Sequence, residues 1–301
     1  MTRRKQQDFE VVAASENNDY LAWQCLVFHH SCVTHLGQIP IIVVHGDDGP
    51  LAAGYRILEE KGGIIQRLPS RRHAGSVEYP CRNAWASLSG VKTAADNIVL
   101  CDPDVIFLRR IDFAGIAAGL KGEAVSLDRV GYMTAGDQNR VMLEEVCKTS
   151  WIDTKLLDGI KISGGMPYII PTGLRRRLAR EWAVLTDDCL MMNLKRHGQM
   201  NSEVWISIMW GFVLAALRSD IPMTYTDLCV TIGKTAKDQD LSLSDCKIVH
   251  YCYGDEVFNK RNYMSEEGSL KTVWKATAPE GTVNGAVTQA IQEAAGFFEL
   301  A

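Results

Sequence analysis

Residues 9–69 alternate between β-branched apolar runs and segments of helical spacing, and that alternation narrows the chain to one fold class. Phe9-Glu-Val-Val-Ala-Ala14 reads as a strand closed by Ser15-Glu-Asn-Asn-Asp19, residue types that favour turns and helix caps. From Tyr20 to His35 the apolar positions Leu21, Trp23, Leu26, Val27 and Val33 recur at roughly helical spacing, and Gly37 followed by Pro40 ends the pattern. Ile39 to His45 is again strand-like and stops at Gly46-Asp-Asp-Gly-Pro50. Leu51 to Lys61 predicts a second helix, and Gly63 to Pro69 a third strand. Strand, helix, strand, helix, strand in one short span is the signature of a parallel, helix-covered sheet, because parallel neighbours need long crossovers. The fold class is therefore α/β.

Further along, Tyr79 to Gly90 predicts a helix. Asn97 to Phe107 predicts an almost continuously apolar central strand interrupted by Asp102-Pro103-Asp104. Strands are expected at Ala124–Asp128, Met166–Pro171 and Lys247–Tyr253, and helices at Leu174–Leu185 and Asn201–Arg218. Beyond Asn262 the chain turns polar, and Gly285 to Leu300 has the pattern of a terminal amphipathic helix. With no internal repeat and no low-complexity linker, the simplest division is one domain over residues 1–270 and a C-terminal tail over 271–301 that carries this helix.

The bulk properties exclude several classes. At 301 residues the chain can bury a substantial core. Its net charge of -4 and scattered basic residues argue against a nucleic-acid partner. The nine cysteines are odd in number, dispersed and mostly set among apolar neighbours, which reads as buried, reduced thiols rather than a disulfide framework. No apolar run approaches the length of a membrane span, and Met1-Thr-Arg-Arg-Lys is followed by no signal-peptide stretch, so a cytoplasmic location is expected.

Chemistry concentrates at Ile98-Val-Leu-Cys-Asp-Pro-Asp-Val-Ile-Phe-Leu108. Two carboxylates that interrupt a buried strand need a cation or strong donors, since unpaired buried charge is very costly. Side chains two apart in extended chain point the same way, so Asp102 and Asp104 can converge on one hard divalent ion, Mg2+ or Mn2+. Asp-Pro-Asp is also a good turn sequence, and an acidic triplet alone has little specificity. The apolar flanks favour the metal site. A Walker-type NTPase is excluded, because no GxxxxGK[ST] loop is present.

With these residues in place, the sequence resembles the metal-dependent glycosyltransferases of the GT-A type. More narrowly, it resembles the plant hydroxyproline O-arabinosyltransferase and peptidyl serine α-galactosyltransferase group. The likeness rests on Tyr20 to His30, Tyr79-Pro-Cys-Arg-Asn-Ala-Trp85, Val99 to Leu108, Gly164-Gly-Met-Pro-Tyr-Ile-Ile170, Asn201-Ser-Glu-Val-Trp205 and His250-Tyr-Cys-Tyr-Gly254, in that order across about residues 8–263. It implies a Rossmann-like, mixed but mainly parallel sheet flanked by helices. It further implies that His250 joins Asp104 and Asp102 as ligand of a metal, Mn2+ or Mg2+, bridging the diphosphate of a nucleotide-sugar. Neutral imidazole is a reasonable ligand for Mn2+, although a lone histidine is more often held by a backbone carbonyl.

The remaining candidates each have a bland alternative. Lys260 and Arg261, shortly after His250, can clamp the diphosphate leaving group, or form a solvated charged turn. By analogy with the family, Arg82 is placed to meet phosphate or sugar hydroxyls; an exposed helix arginine is the alternative. Gly164-Gly165 lets backbone approach a ligand closely, or makes a tight turn. Glu203 falls in the region that the resemblance puts near the transferred sugar, where it could hold hydroxyls or act as a general base, or simply favour a helix N-terminus. Asp187 and Asp188 read as structural, beside a helix end.

The resulting expectation is transfer of a hexose or pentose from a UDP- or GDP-sugar, UDP favoured, with retention carried over from the plant relatives. Those relatives are membrane-anchored, Golgi-lumenal and act on peptides. No anchor-like segment is read here, so a small molecule, a glycan or a protein side chain all stand as acceptors. Two other readings compete: a sugar-phosphate nucleotidyltransferase, and a non-catalytic nucleotide-binding scaffold. The first normally carries a Gly-rich basic loop after the first strand, where this chain has Ser15-Glu-Asn-Asn-Asp-Tyr20.

Overall fold

The computed structural model of the protein describes residues 8–119, 123–129, 133, 137–159, 164–226, 228–231, 246–252, 257–265 and 270–300. In chain order its elements are β1 (Phe9–Glu16), α1 (Asp19–Ser31), β2 (Ile41–His45), α2 (Ala53–Glu60), β3 (Ile64–Leu68), α3 (Asn83–Gly90), β4 (Asn97–Cys101) and β5 (Val105–Phe107). There follow α4 (Phe113–Ala118), β6 (Ala124–Arg129), α5 (Asp137–Thr149), β7 (Gly164–Pro171), α6 (Arg175–His197), α7 (Ser202–Trp205) and α8 (Ser207–Arg218). The last are β8 (Met223–Tyr225), β9 (Cys229–Thr231), β10 (Ile248–His250) and α9 (Val283–Phe298). Seven strands form a mixed, mostly parallel sheet in the order β3-β2-β1-β4-β7-β6-β8, flanked by helices, and three short strands form a second sheet, β5-β10-β9. The α/β class is as expected. Among the described residues no helix is long and apolar enough to cross a membrane.

The chain divides into two units, one of which takes Glu10–Pro69, Cys101–Phe113 and Asp227–Ala301. Here β1, β2 and β3 run parallel, with Val12 opposite Ile41 and Ile41 opposite Ile64. Val11 to Ala14 and all of β2 are buried, as strands covered on both faces should be. Helix α1 starts where the Asn18 side chain accepts the Leu21 amide at 2.8 Å; a π-helical turn, Cys32–Leu36, continues it and ends at Gly37, at φ 65° in the left-handed region. Helix α9 packs on α1, with the His29 and Phe298 rings 5.7 Å apart, and its buried Val287, Ile291 and Phe298 belong to this unit's core.

The other unit takes Met1–Phe9, Ser70–Leu100 and Ala114–Thr226. Strand β7 is central, antiparallel to β4 and to β6, and β8 runs parallel to β6. The Tyr168 ring of β7 stacks on Phe212 of α8 at 3.8 Å, Trp182 of α6 meets Phe212 edge-on, and the Trp182 indole donates to the Ile208 carbonyl at 2.7 Å. All three rings are fully buried.

Several expected boundaries shift. The single strand expected over Asn97–Phe107 is two strands, β4 and β5, in different sheets. Pro103 has no amide to give to a ladder, and Asp102-Pro103-Asp104 is where the chain leaves one sheet for the other. The helix expected to end at Leu185 runs on to His197, where Gly198 at φ 70° caps it, and Asp187 and Asp188 therefore lie within the helix rather than beside its end. The helix expected over Asn201–Arg218 breaks at Ile206 into α7 and α8, because the buried Tyr79 hydroxyl takes the Ile208 amide at 3.0 Å and donates to the Trp205 carbonyl. Gly164-Gly165 opens strand β7 instead of forming a turn. Of the expected late strand, 248–250 is observed, and Tyr253 and Gly254 lie outside the described residues.

Gly211 of α8 lies against α6 so closely that a Cβ there would sit 2.7 Å from the Thr186 Cα and backbone nitrogen. Backbone cannot yield as a side-chain tip can, so Gly211→Ala is expected to cost about 1–3 kcal/mol of stability in a denaturant titration. Unchanged stability would mean that α6 and α8 are free to shift apart.

Candidate metal and diphosphate site

The site is assembled by the small sheet. Strand β10 pairs antiparallel with β5, which sets His250 opposite Val105, and the Tyr251 amide donates to the Asp104 carbonyl at 3.0 Å. A turn that closely follows β4 and the end of a strand nearly 150 positions later are thus fixed side by side by backbone hydrogen bonds. Asp102, Asp104 and His250 each present a ligand atom, all within 4.8 Å of one another. His250 Nε2 lies 3.3 Å from Asp104 Oδ1 and 3.7 Å from Asp102 Oδ2.

The two carboxylates are not equivalent. The Asp104 side chain is 8% exposed and receives Lys260 Nζ on Oδ2, whereas Asp102 is 36% exposed. Burial alone would raise the Asp104 pKa, but the Lys260 ammonium and His250 beside it hold the carboxyl well below the usual range. Asp102 is pushed up to about 6 by desolvation and by the neighbouring Asp104 charge. Lys260 is itself buried, which disfavours its charge, yet Asp104 more than offsets that and raises its pKa.

Below this group lies an aromatic floor. Tyr251 stacks on Trp23 at 6.1 Å, Phe258 meets Tyr251 edge-on and stacks on Tyr263 at 6.1 Å. Lys260 Nζ sits 5.8 Å from the centre of the Tyr251 ring, so the ammonium is held between a carboxylate and a π face. Asn259 caps the short 3-10 turn Lys260–Tyr263 by accepting the Arg261 amide at 3.0 Å, and Arg261 is exposed.

Two carboxylate oxygens and one imidazole nitrogen converging from buried backbone fit a hard divalent ion such as Mg2+ or Mn2+. Three protein ligands leave coordination positions open for phosphate oxygens or water. The orientation of the group is maintained by β-sheet pairing, so it does not depend on a flexible loop alone.

The other candidates belong to the second unit and have partners there. Arg82 is 2% exposed, so the alternative of an exposed helix arginine does not apply. It ends a 3-10 turn, donates from Nε to Asp187 at 2.7 Å, and from Nη1 to the Val77 and Arg72 carbonyls at 2.6 and 3.1 Å. Asp188 accepts the Ser150 hydroxyl at 2.8 Å. Glu203 stands in the first turn of α7, 42% exposed, 2.5 Å from His197 Nε2.

Tyr20 and the floor residues Trp23 and Tyr251 received no role from sequence. Tyr20 is largely buried, which raises its pKa, and it feels the charges of Lys260, Asp104 and Arg261. The available signal was positional: Tyr20 directly follows the polar turn at the end of the first strand, and Tyr251 adjoins His250.

No protein-family model and no curated protein matches the chain. Its structure, however, is similar to that of the galactosyltransferase LgtC. With an active-site variant of LgtC the TM-score is 0.52 at 12% identity, covering 96% of this chain and 95% of the other. With LgtC in complex with donor and acceptor sugar analogues it is 0.51, at the same identity and coverage. The fold is thus that of the GT-A glycosyltransferases, and Asp102-Pro103-Asp104 fits their DxD motif.

Asp102 yields a test of the site's electrostatics. Its folded pKa lies above the ordinary value, so its contribution to stability is fully present below about pH 4 and is lost as pH rises through about 6. In metal-free protein, Asp102→Asn removes that loss. Its melting temperature relative to wild type is expected to rise between about pH 4 and pH 8. A difference that stays constant across this range would contradict the assigned environment.

Proposed function

We propose that this chain is a metal-dependent glycosyltransferase that moves a sugar from a nucleotide-diphosphate donor, UDP-sugar favoured, to an acceptor hydroxyl or other nucleophile, with retention. The observation that carries the reading is the convergence of Asp102, Asp104 and His250 at the point where a GT-A-type chain passes from one sheet to the other. Fold alone would not assign the activity.

In this reading Asp102, Asp104 and His250 hold the ion, Mn2+ or Mg2+, which supplies positive charge to the departing diphosphate. Lys260 and Arg261 add cationic charge on the same leaving group, where stabilisation grows as the sugar–oxygen bond lengthens. The bond from the anomeric carbon to the phosphate oxygen breaks and a bond to the acceptor oxygen forms on the same face. The acceptor proton passes to the diphosphate when Glu203 only holds hydroxyls, and to the Glu203 carboxylate when that residue is the general base. Glu203 is assigned to the sugar or acceptor, as holder of hydroxyls or general base, and Arg82 to phosphate or sugar hydroxyls. Arg82 would have to share its guanidinium with Asp187 to do so.

The galactosyltransferase structure with donor and acceptor sugar analogues supports a sugar donor and a sugar acceptor here as well. The eight described free cysteines, Cys25 and Cys101 among them, support a reducing compartment such as the cytoplasm.

Calorimetric titration with UDP and with GDP, each with and without Mn2+, tests the reading. Binding is expected only with the metal, and metal-independent binding, or none, would count against it. Asp104→Asn is expected to lower donor hydrolysis and transfer by at least about a hundredfold with the fold intact by circular dichroism. Full activity in that variant would remove the metal assignment.

A further inference from the structure

Lys260 is an unusual neighbour for a metal ligand. Its ammonium is in contact with Asp104 Oδ2, and the two residues are 8% and 5% exposed. The pair is complete as it stands: a buried carboxylate has its cation, and the cation has an aromatic face beneath it. A divalent ion that takes Asp104 as a ligand must share that carboxylate with Lys260 or displace it. Among the described residues Asp102 has no lysine or arginine at contact distance, and it is more open to solvent and lies 3.7 Å from His250.

We propose that Lys260 is a built-in counter-cation for Asp104, one that gives up the carboxylate when a nucleotide diphosphate arrives, so that metal and nucleotide bind as a coupled pair. The inference rests on the donor-site reading above and adds an order of events to it. Asp102, the more exposed of the two acids, forms the side of the site that an ion meets first, and Asp104, with His250 3.3 Å from its Oδ1, completes it once the ammonium has a second anion to turn to.

The charges favour this coupling. In the empty site the two carboxylates outweigh the one ammonium by a single negative charge. A divalent ion alone reverses the excess to positive. A diphosphate alone deepens the negative excess. Bound together their charges cancel and leave the single negative excess as it was, so in a poorly solvated site the diphosphate enters more readily with its ion than alone, and by linkage the ion with the diphosphate. The side chain suits the movement, since a lysine is a point charge on a flexible four-carbon stem, whereas a guanidinium is a rigid fork. The turn Lys260–Tyr263 that carries it is anchored through Asn259 and through stacking of Tyr263 on Phe258, so the stem can move while its base stays in place.

Lys260→Met separates this role from a plain structural pair. Mn2+ binding to the full chain is measured by electron paramagnetic resonance, first alone and then with saturating UDP or GDP. In wild type, the nucleotide is expected to tighten Mn2+ by at least about tenfold. In Lys260→Met, Mn2+ alone is expected to bind at least about tenfold tighter than in wild type, with little further gain from nucleotide. Lys260→Arg, which keeps the charge, is expected to bind Mn2+ alone as weakly as wild type. Mn2+ alone should also raise the melting temperature of Lys260→Met more than that of wild type, because the ion replaces the missing cation beside Asp104.

Two results would overturn the inference: unchanged or weaker Mn2+ affinity in folded Lys260→Met, or a wild-type Mn2+ affinity indifferent to a nucleotide that binds. The second needs no variant, so it decides the matter even if Lys260→Met does not fold. Failure of wild type to bind UDP or GDP in the presence of Mn2+ is a different outcome. That result removes the donor reading itself, and this inference with it.

Discussion

Two carboxylates placed at the seam between two sheets impose a condition that the surrounding residues are arranged to meet. Asp102 and Asp104 flank a proline between β4 and β5, where Pro103 has no amide to continue a ladder and the Asp104 carbonyl accepts the Tyr251 amide. Asp104 is buried, and a buried carboxylate without a partner would cost more than most core substitutions. His250 and Lys260 are brought to it by a three-residue strand and a short capped turn. The aromatic floor of Trp23, Tyr251, Phe258 and Tyr263 excludes water from beneath the group, which strengthens each charge interaction above it. Remove the acids, and a buried lysine would be left with no reason to carry its charge.

The same condition explains what sequence could and could not reveal. The parallel β1-β2-β3 unit was legible because β1 and β2 are apolar runs, β3 opens on Ile64-Ile65, and Gly37, Pro40 and Gly62-Gly63 punctuate the crossovers, so local chemistry and global pattern agree. The metal candidates were legible for the opposite reason: two acids in Val-Leu-Cys-Asp-Pro-Asp-Val-Ile-Phe violate the pattern around them. The break between β4 and β5 was not, since hydrophobicity is the same on both sides and only long-range pairing with β7 and β10 assigns the halves to different sheets. Arg82 illustrates the limit for charged residues. Its position in Tyr79-Pro-Cys-Arg is equally suited to solvent, a ligand or burial, and the deciding partners, Asp187 and the carbonyls of Arg72 and Val77, come from segments whose proximity only the fold defines. The break between α7 and α8 has the same origin, because the Tyr79 hydroxyl that interrupts the helix is over a hundred positions away.

Likeness to the LgtC structures at 12% identity establishes the chain path and little else, and fold is a weak guide to chemistry. The functional reading therefore depends on residues that need not be where they are for the fold to form. A helix-covered sheet of this order could be stable with apolar side chains at 102, 104, 250 and 260, and buried ion clusters are commonly no more stabilising than apolar packing of the same volume. That these four positions carry two acids, an imidazole and an amine is a cost without return in folding terms. A cost of that kind is expected where a site is built for a ligand.

The asymmetry between the two acids adds selectivity to the site. If both carboxylates were equally open, a divalent ion would be held by them whether or not a nucleotide was present. If both were paired internally, no ion would enter. One acid partly exposed with a raised pKa and one buried against an ammonium gives an intermediate site, receptive on one side and closed on the other. Such a site discriminates by charge as well as by shape, because only a ligand that brings both the ion and compensating negative charge satisfies every group in it. A nucleotide diphosphate with its metal has that composition, and a free metal ion or a neutral sugar does not.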